Sequence, residues 1–216
     1  MSAITLTIPV IWFAGGVAVM ALAPATMPER LPAALPPALQ LLRERLQGHP
    51  VLAACAIGAA FAAICLAGAL LLLRVPLTSA WVQSAVHTAN TNAGAVFVVA
   101  LVTGAAEEVY FRIGLRAVLP SRWYPIGSTA IYGIVTAATA NGALVMASIL
   151  LGLVAALAYQ WVPRWYVPII IHALWTVSLI GIFPSIHDWP APGPLAAPTV
   201  AGLSCGAFAG VPAFAG

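Results

Sequence analysis

The chain has 216 residues, of which 62% are hydrophobic and only 6% charged, whereas a soluble domain carries about a quarter of its residues charged. A water-soluble globular domain is excluded and an integral membrane protein is indicated. The formal charge of +3 rests on eight basic residues, all arginine, against five acids. They are scattered rather than gathered on one face, so no nucleic-acid partner is indicated.

Apolar runs of about 20 residues are what a hydrocarbon core of roughly 30 Å demands of a helix. The runs here are continuous rather than alternating, which selects helices over a β-barrel. The fold class expected is all-α, a polytopic transmembrane bundle of about six spans lying in the lipid bilayer. The first span covers 4–23, "ITLTIPVIWFAGGVAVMALA". It lacks a basic leading region, so it reads as an uncleaved helix although "ALAPA" resembles a cleavage site. A Pro-rich connector with "PERLPAALPPALQLLRERL" follows and holds a short surface helix. The second span, 50–73, ends at Arg74 and Pro76, and 77–92 is polar enough to lie at an interface rather than cross. The third is 93–118. The fourth, 126–140, is short and meets the fifth, 142–160, at a turn marked by Asn141-Gly142. The sixth is 167–183, and the Pro/Gly/Ala-rich tail, 184–216, reads as poorly ordered. This divides the chain into an N-terminal two-span region with its interfacial segment (1–92), a core of four spans (93–183) and the tail.

One stretch breaks the apolar pattern. "GAAEEVYFRIGL", 104–115, places Glu107, Glu108 and Arg112 inside the third span. Each ionisable group near the bilayer centre costs roughly 2.5–3.5 kcal/mol on insertion scales. Glu108 and Arg112 are four apart on one helical face, with the acid on the favourable N-terminal side. Glu107 points about 100° away, toward Thr103, Gly104 and Phe111, and is left without a partner in its own helix. Either the pair is structural and Glu107 meets a hydroxyl of another helix, or the cluster is functional, the default for intramembrane ionisable groups. The sixth span carries His172, with Thr176 at i+4, roughly 8 Å inside the inner interface. The fourth span carries Tyr132, Thr136 and Thr139. A carboxylate and an imidazole in a water-accessible cavity can activate water against a carbonyl while hydroxyl or amide donors hold the oxyanion, which is peptide-bond hydrolysis.

These residues resemble the CPBP family of intramembrane proteases, which includes the type II CAAX prenyl endopeptidases and the abortive-infection and bacteriocin-processing proteins. "EEVYFR" matches its Glu-Glu-x-x-x-Arg motif. "HALWT" matches the third motif at His172, with Thr176 where the family has Asn or Asp. "YGIVT" is similar to the second motif, Phe-x-x-x-His, with Tyr132 for Phe and Thr136 for His. The resemblance covers about 93–180. It implies an intramembrane endopeptidase acting on a membrane-associated peptide or protein, with Glu107 as general base, Glu108 and Arg112 orienting it, and His172 as oxyanion donor or metal ligand. A hydroxyl at 136 cannot replace an imidazole as base or ligand. Zinc wants three protein ligands, and the intramembrane set offers Glu107, Glu108 and His172, with Glu107 and His172 the candidates. No cofactor is required by this reading, and a divalent metal such as zinc is an option.

The remaining residues carry less. His49, His87 and His187 read as solvated imidazoles. Cys55 and Cys65 lie about 15 Å apart along one helix, too far to bridge, and Cys205 is in the tail. Two other classes stay open: a catalytically degenerate relative that scaffolds a membrane protein, and a proton-coupled carrier using Glu107, which lacks the visible half-symmetry of such carriers.

Arginine placement orients the bundle, because basic loops stay cytoplasmic. With the N-terminus outside, Arg30, Arg43, Arg45, Arg116, Arg122 and Arg164 lie inside and Arg74 lies opposite. "SRWY" (121–124) and "PRWY" (163–166) then place Trp and Tyr at the inner interface. The Ala, Pro, Gly and Arg bias without Lys fits a G+C-rich bacterium, hence the bacterial cytoplasmic (inner) membrane. A cysteine placed at Ser121 is expected to resist impermeant maleimide added outside and to react after the membrane is opened; labelling from outside would overturn this topology.

Overall fold

The computed structural model describes residues 36–185, together with Ile11, Trp12, Ala14, Gly15, Gly16, Ala18 and Ala21. Most of the expected first span and nearly all of the tail lie outside the described residues.

Regular structure among the described residues is entirely helical. Four helices open on proline in their first turn: α1 (Pro37–Gly48), α2 (Pro50–Leu72), α3 (Pro76–Thr91) and α6 (Tyr124–Ala137). Proline is tolerated there because the N–H it lacks would have no intrahelical acceptor. Between them, α4 (Ala93–Glu108) runs without a break through a π-helical stretch, Val109–Gly114, into the short α5 (Leu115–Val118). The chain closes with α7 (Gly142–Trp161) and α8 (Tyr166–Thr176), the latter prolonged by a second π-helical stretch, Val177–Ile182, and a 3-10 turn, Phe183–Ser185.

Four of these are long and apolar enough to cross a membrane: Pro50–Leu72, Ala93–Val118, Gly142–Trp161 and Tyr166–Ser185. The protein is an all-α membrane bundle. The connector does hold a surface helix, α1, with no buried residue. The fourth span, expected to be short, is α6, which lies two to three residues earlier than 126–140. Helix α6 has 14 residues, a rise of about 21 Å, which falls short of a roughly 30 Å hydrocarbon core. The turn after it also differs in detail. The left-handed residue is Ala140, with φ of 53°, while Asn141 begins α7: its side-chain oxygen accepts from the backbone N–H of Ala143 at 3.0 Å and Leu144 at 3.1 Å, and its amide donates to the Trp81 carbonyl at 2.9 Å. A short polar side chain thus caps one helix and ties it to α3.

Helix α8 is central, packing on α2, α4 and α7, while α6 lies along α7. A core of Ala54, Phe61, Leu151, Val162, Val167 and Ile171 joins α2, α7 and α8. Small residues let the backbones approach, as is usual where lipid offers no hydrophobic drive between helices. A methyl group on Gly58 of α2 would stand 3.1 Å from the Ile171 Cα and 2.8 Å from a Leu174 methyl of α8. On a second flank, Trp12 stacks against Tyr110 and Phe111, each with ring centroids 5.1 Å apart.

Gly58→Ala is therefore expected to lower the thermal midpoint in detergent by forcing α2 off α8. Gly68→Ala on the same helix meets nothing within 4 Å, and is expected to be neutral or to stabilise by up to about 1 kcal/mol through reduced backbone entropy. Equal midpoints for the two variants would remove the close-approach account.

Candidate active site

Helix α4 delivers both acids. Glu108 is fully buried, and so is Arg112 one turn later in the π-helical stretch. The Arg112 Nε stands 3.2 Å from Glu108 Oε2, an ion-pair contact without hydrogen-bond geometry. The guanidinium also sits 4.8 Å from the centre of the Tyr132 ring, a cation–π contact that partly replaces lost hydration. The other carboxylate oxygen of Glu108 lies 2.9 Å from Nδ1 of His172, on α8. An ionised carboxylate only accepts, so it takes a proton on Nδ1 and orients the ring; Nε2 is then an acceptor in the neutral ring and a donor in the imidazolium.

That ring packs close against α4 at Gly104. A methyl group on Gly104 would come within 2.8 Å of His172 Nε2, so the glycine is what admits the imidazole beside the glutamates. The sequence placed Gly104 only as a helical neighbour of Glu107; the available signal for its role was its place one turn before Glu108.

Glu107 faces elsewhere. Its Oε2 accepts a hydrogen bond from the Tyr132 hydroxyl on α6 at 2.8 Å. It also lines a cavity of about 60 Å³ among α4, α6, α7 and α8, with His172, Thr103, Thr136, Ser148 and Thr176. A water molecule needs roughly 10–15 Å³ of such volume and two to four polar partners, so the cavity suits water. Glu107, His172, Tyr132, Thr136 and Thr176 are thus brought to one chamber, with Glu108 and Arg112 in the dry wall behind it.

Two expectations change in detail. Glu108 was expected to orient Glu107, but its carboxylate holds His172 and Arg112. Tyr132, expected only as a stand-in for a motif phenylalanine, is the hydrogen-bond partner of Glu107. The contacts of the structural alternative, a Glu108–Arg112 pair and Glu107 on another helix's hydroxyl, are both present. Thr136 is half-buried and its hydroxyl donates to the Tyr132 carbonyl at 2.9 Å, back along its own helix. Thr176 is buried with its hydroxyl unpaired among the described residues.

No group of three His, Cys, Asp or Glu side chains among the described residues is placed to hold a metal ion. The donors facing the chamber are Glu107 and His172, one short of the usual zinc set, and Glu108 is committed to the wall. The site as built does not fit zinc, and no step is routed through a metal. His49 and His87 are exposed and line neither cavity; Cys55 and Cys65 are free thiols.

A second cavity of about 330 Å³, almost wholly apolar, lies among α2, α3, α7 and the end of α8, and shares Leu144, Trp175 and Ile180 with the polar chamber. Trp175 packs edge-on to His172, ring centroids 5.8 Å apart.

Residues 89–178 match the family model Type II CAAX prenyl endopeptidase Rce1-like. This segment carries α4 to α8, and the match supports membership of the CPBP family. Comparison with curated proteins and with solved structures finds no match.

The wall and the chamber respond differently to substitution. Arg112→Ala leaves Glu108 without its ion-pair partner and is expected to cost about 3–5 kcal/mol of stability. Glu107→Gln keeps a hydrogen-bonding group in the chamber and is expected to fold as the native chain does. Thermal unfolding of both in detergent checks this; equal midpoints would leave the two glutamates without distinct roles.

Proposed function

We propose that the chain, a membrane-embedded member of the type II CAAX prenyl endopeptidase family, hydrolyses a peptide bond of a membrane-associated substrate with water activated by Glu107. The observation that carries this reading is the chamber itself: a carboxylate and an oriented imidazole lining a cavity large enough for water among four helices.

Glu107 takes a proton from water as the water oxygen bonds to the scissile carbonyl carbon, and the Tyr132 hydroxyl, donating to the same carboxylate, holds it in place. His172, its Nδ1 proton held by Glu108, donates from protonated Nε2 to the oxyanion, with the Thr176 hydroxyl as second donor. Collapse of the tetrahedral intermediate breaks the C–N bond, and the proton on Glu107 passes to the departing amine. The larger cavity supports an apolar group on the substrate, since it is lined by apolar side chains and adjoins the chamber. Arginine distribution and composition support a multi-pass protein of the bacterial inner membrane with its N-terminus outside.

One observation favours a second reading, a family member that binds membrane proteins without cleaving them. Thr136 stands where the family has an imidazole, and its hydroxyl is already engaged by its own helix. The two readings separate on three proteins: native, Thr136→His with Thr176→Asn, and that double variant carrying Glu107→Gln. On a peptide that an intact family member cleaves, the double variant is expected to gain about 10²-fold or more over the native chain, the usual worth of one positioned acid or base. The Glu107→Gln version is expected to lose that gain. A double variant that folds yet cleaves no faster than native would favour the binding role.

A further inference from the structure

The loops at one end of the bundle are joined by side chains that reach open backbone carbonyls. The Gln47 amide of α1 donates to the Trp161 carbonyl at the end of α7, at 2.7 Å. Gln160 of α7 donates to the Ser121 carbonyl in the turn between α5 and α6, at 3.0 Å, and Arg116 donates to the Tyr159 carbonyl at 2.8 Å. These bonds gather the close of α1, the α5–α6 turn and the α7–α8 turn at one end of the molecule, and with them Arg45, Arg122 and Arg164. All three arginines are exposed, and no ion pair holds any of them among the described residues.

Charge and side-chain type at this end are one-sided. The described residues contribute a single acid there, Glu44. Arg122 is followed by Trp123, 56% exposed, and Arg164 by Trp165, 63% exposed. Helix α1 adds Leu41 and Leu42, also exposed, which helical spacing sets beside Arg45. Tryptophan is a side chain of the membrane–water interface, and a surface helix with leucine beside arginine lies in the plane of that interface, held more strongly where the lipid is anionic. An acidic peptide would meet the arginines and leave the leucines and tryptophans in water; a bilayer surface meets both.

We propose that this end of the bundle docks on anionic phospholipid headgroups, their phosphates paired with Arg45, Arg122 and Arg164 while Trp123, Trp165 and the α1 leucines sit at the acyl boundary. Guanidinium suits the role, since its forked N–H donors match two phosphate oxygens. Arg116 takes no part: it is committed to the Tyr159 carbonyl and lies 4.6 Å from the centre of the Tyr159 ring. The opposite end supplies the contrast. Arg74 follows α2, whose 23 residues rise about 34 Å from the α1 end, and it stands exposed as the one arginine among the described residues there. The proposal is independent of whether the chain cleaves a peptide.

Electron spin resonance of labelled lipids tests this on the full-length protein in phosphatidylcholine vesicles, comparing spin-labelled phosphatidylglycerol with spin-labelled phosphatidylcholine. A basic residue near an anionic surface is worth about fivefold in association. The native chain is therefore expected to favour the phosphatidylglycerol label by about twofold or more once averaged over all lipids touching the bundle, with the preference falling as salt rises. Arg45→Gln with Arg122→Gln and Arg164→Gln is expected to lose the preference, and Arg74→Gln to keep it. Equal association of the two labels with the native chain overturns the proposal, as does a preference that the triple variant keeps or that Arg74→Gln abolishes. Binding of a soluble polyglutamate peptide that needs the three arginines, without any phosphatidylglycerol preference, assigns the surface to an acidic protein segment instead. If the triple variant does not fold, Arg122→Gln and Arg164→Gln are each expected to lower the preference by themselves, and no change in either overturns it.

Discussion

The buried carboxylate of Glu108 is the constraint on which the rest of the core depends. A fully buried anion in a bilayer is tolerated only when both oxygens find partners. Here one oxygen faces Arg112 in its own helix and the other holds His172 of α8. The second contact makes α4 and α8 mutually dependent: the imidazole loses its carboxylate if the helices separate. The bundle is therefore tied by charge where lipid provides no hydrophobic drive, and the same tie sets the azimuth of the imidazole that faces the chamber.

The two π-helical stretches follow from the same demand. Each begins immediately after the last site residue of its helix, at Val109 behind Glu108 and at Val177 behind Thr176. A π turn shifts the face presented by everything beyond it, and such turns concentrate at functional sites. On α4 the stretch carries Phe111 and Arg112 inward, against Tyr132 at ring centroids 4.8 Å apart for Phe111. The guanidinium reaches Glu108 by Nε, while Nη1 and Nη2 turn away from it without partners among the described residues.

How much of this was readable beforehand depended on whether the signal was local. Helix existence and most boundaries followed from apolar run length and from prolines at 37, 50, 76 and 125. The pairing of Glu108 with Arg112, and the isolation of Glu107 within its helix, followed from 100° per residue. The likeness of "EEVYFR" and "HALWT" to family motifs brought Glu107 and His172 together before any coordinates did. What could not be read was which glutamate the histidine would meet, because that depends on the crossing of α4 with α8, where Gly104 admits the imidazole. Nor was the π register visible in "VYFRIG", whose composition suits an ordinary helix. The fourth span was readable as short and its turn was announced by Asn141-Gly142, but its helix ends three residues earlier than expected, at Ala137.

Adjacent glutamates acquire separate roles from this geometry. Residues 107 and 108 differ by one helical step, so they must face different neighbours, and the fold makes one neighbour dry and the other water-sized. Glu108 is spent on holding a cation and an imidazole; Glu107 keeps one hydroxyl partner and an open side. The threonine at 136 follows as a tolerable departure for folding, because its hydroxyl bonds along its own helix and leaves the wall undisturbed. The same substitution at His172 would release Glu108 and with it the contact between α4 and α8. Chemistry and stability are therefore separable at one position of the chamber and inseparable at the other.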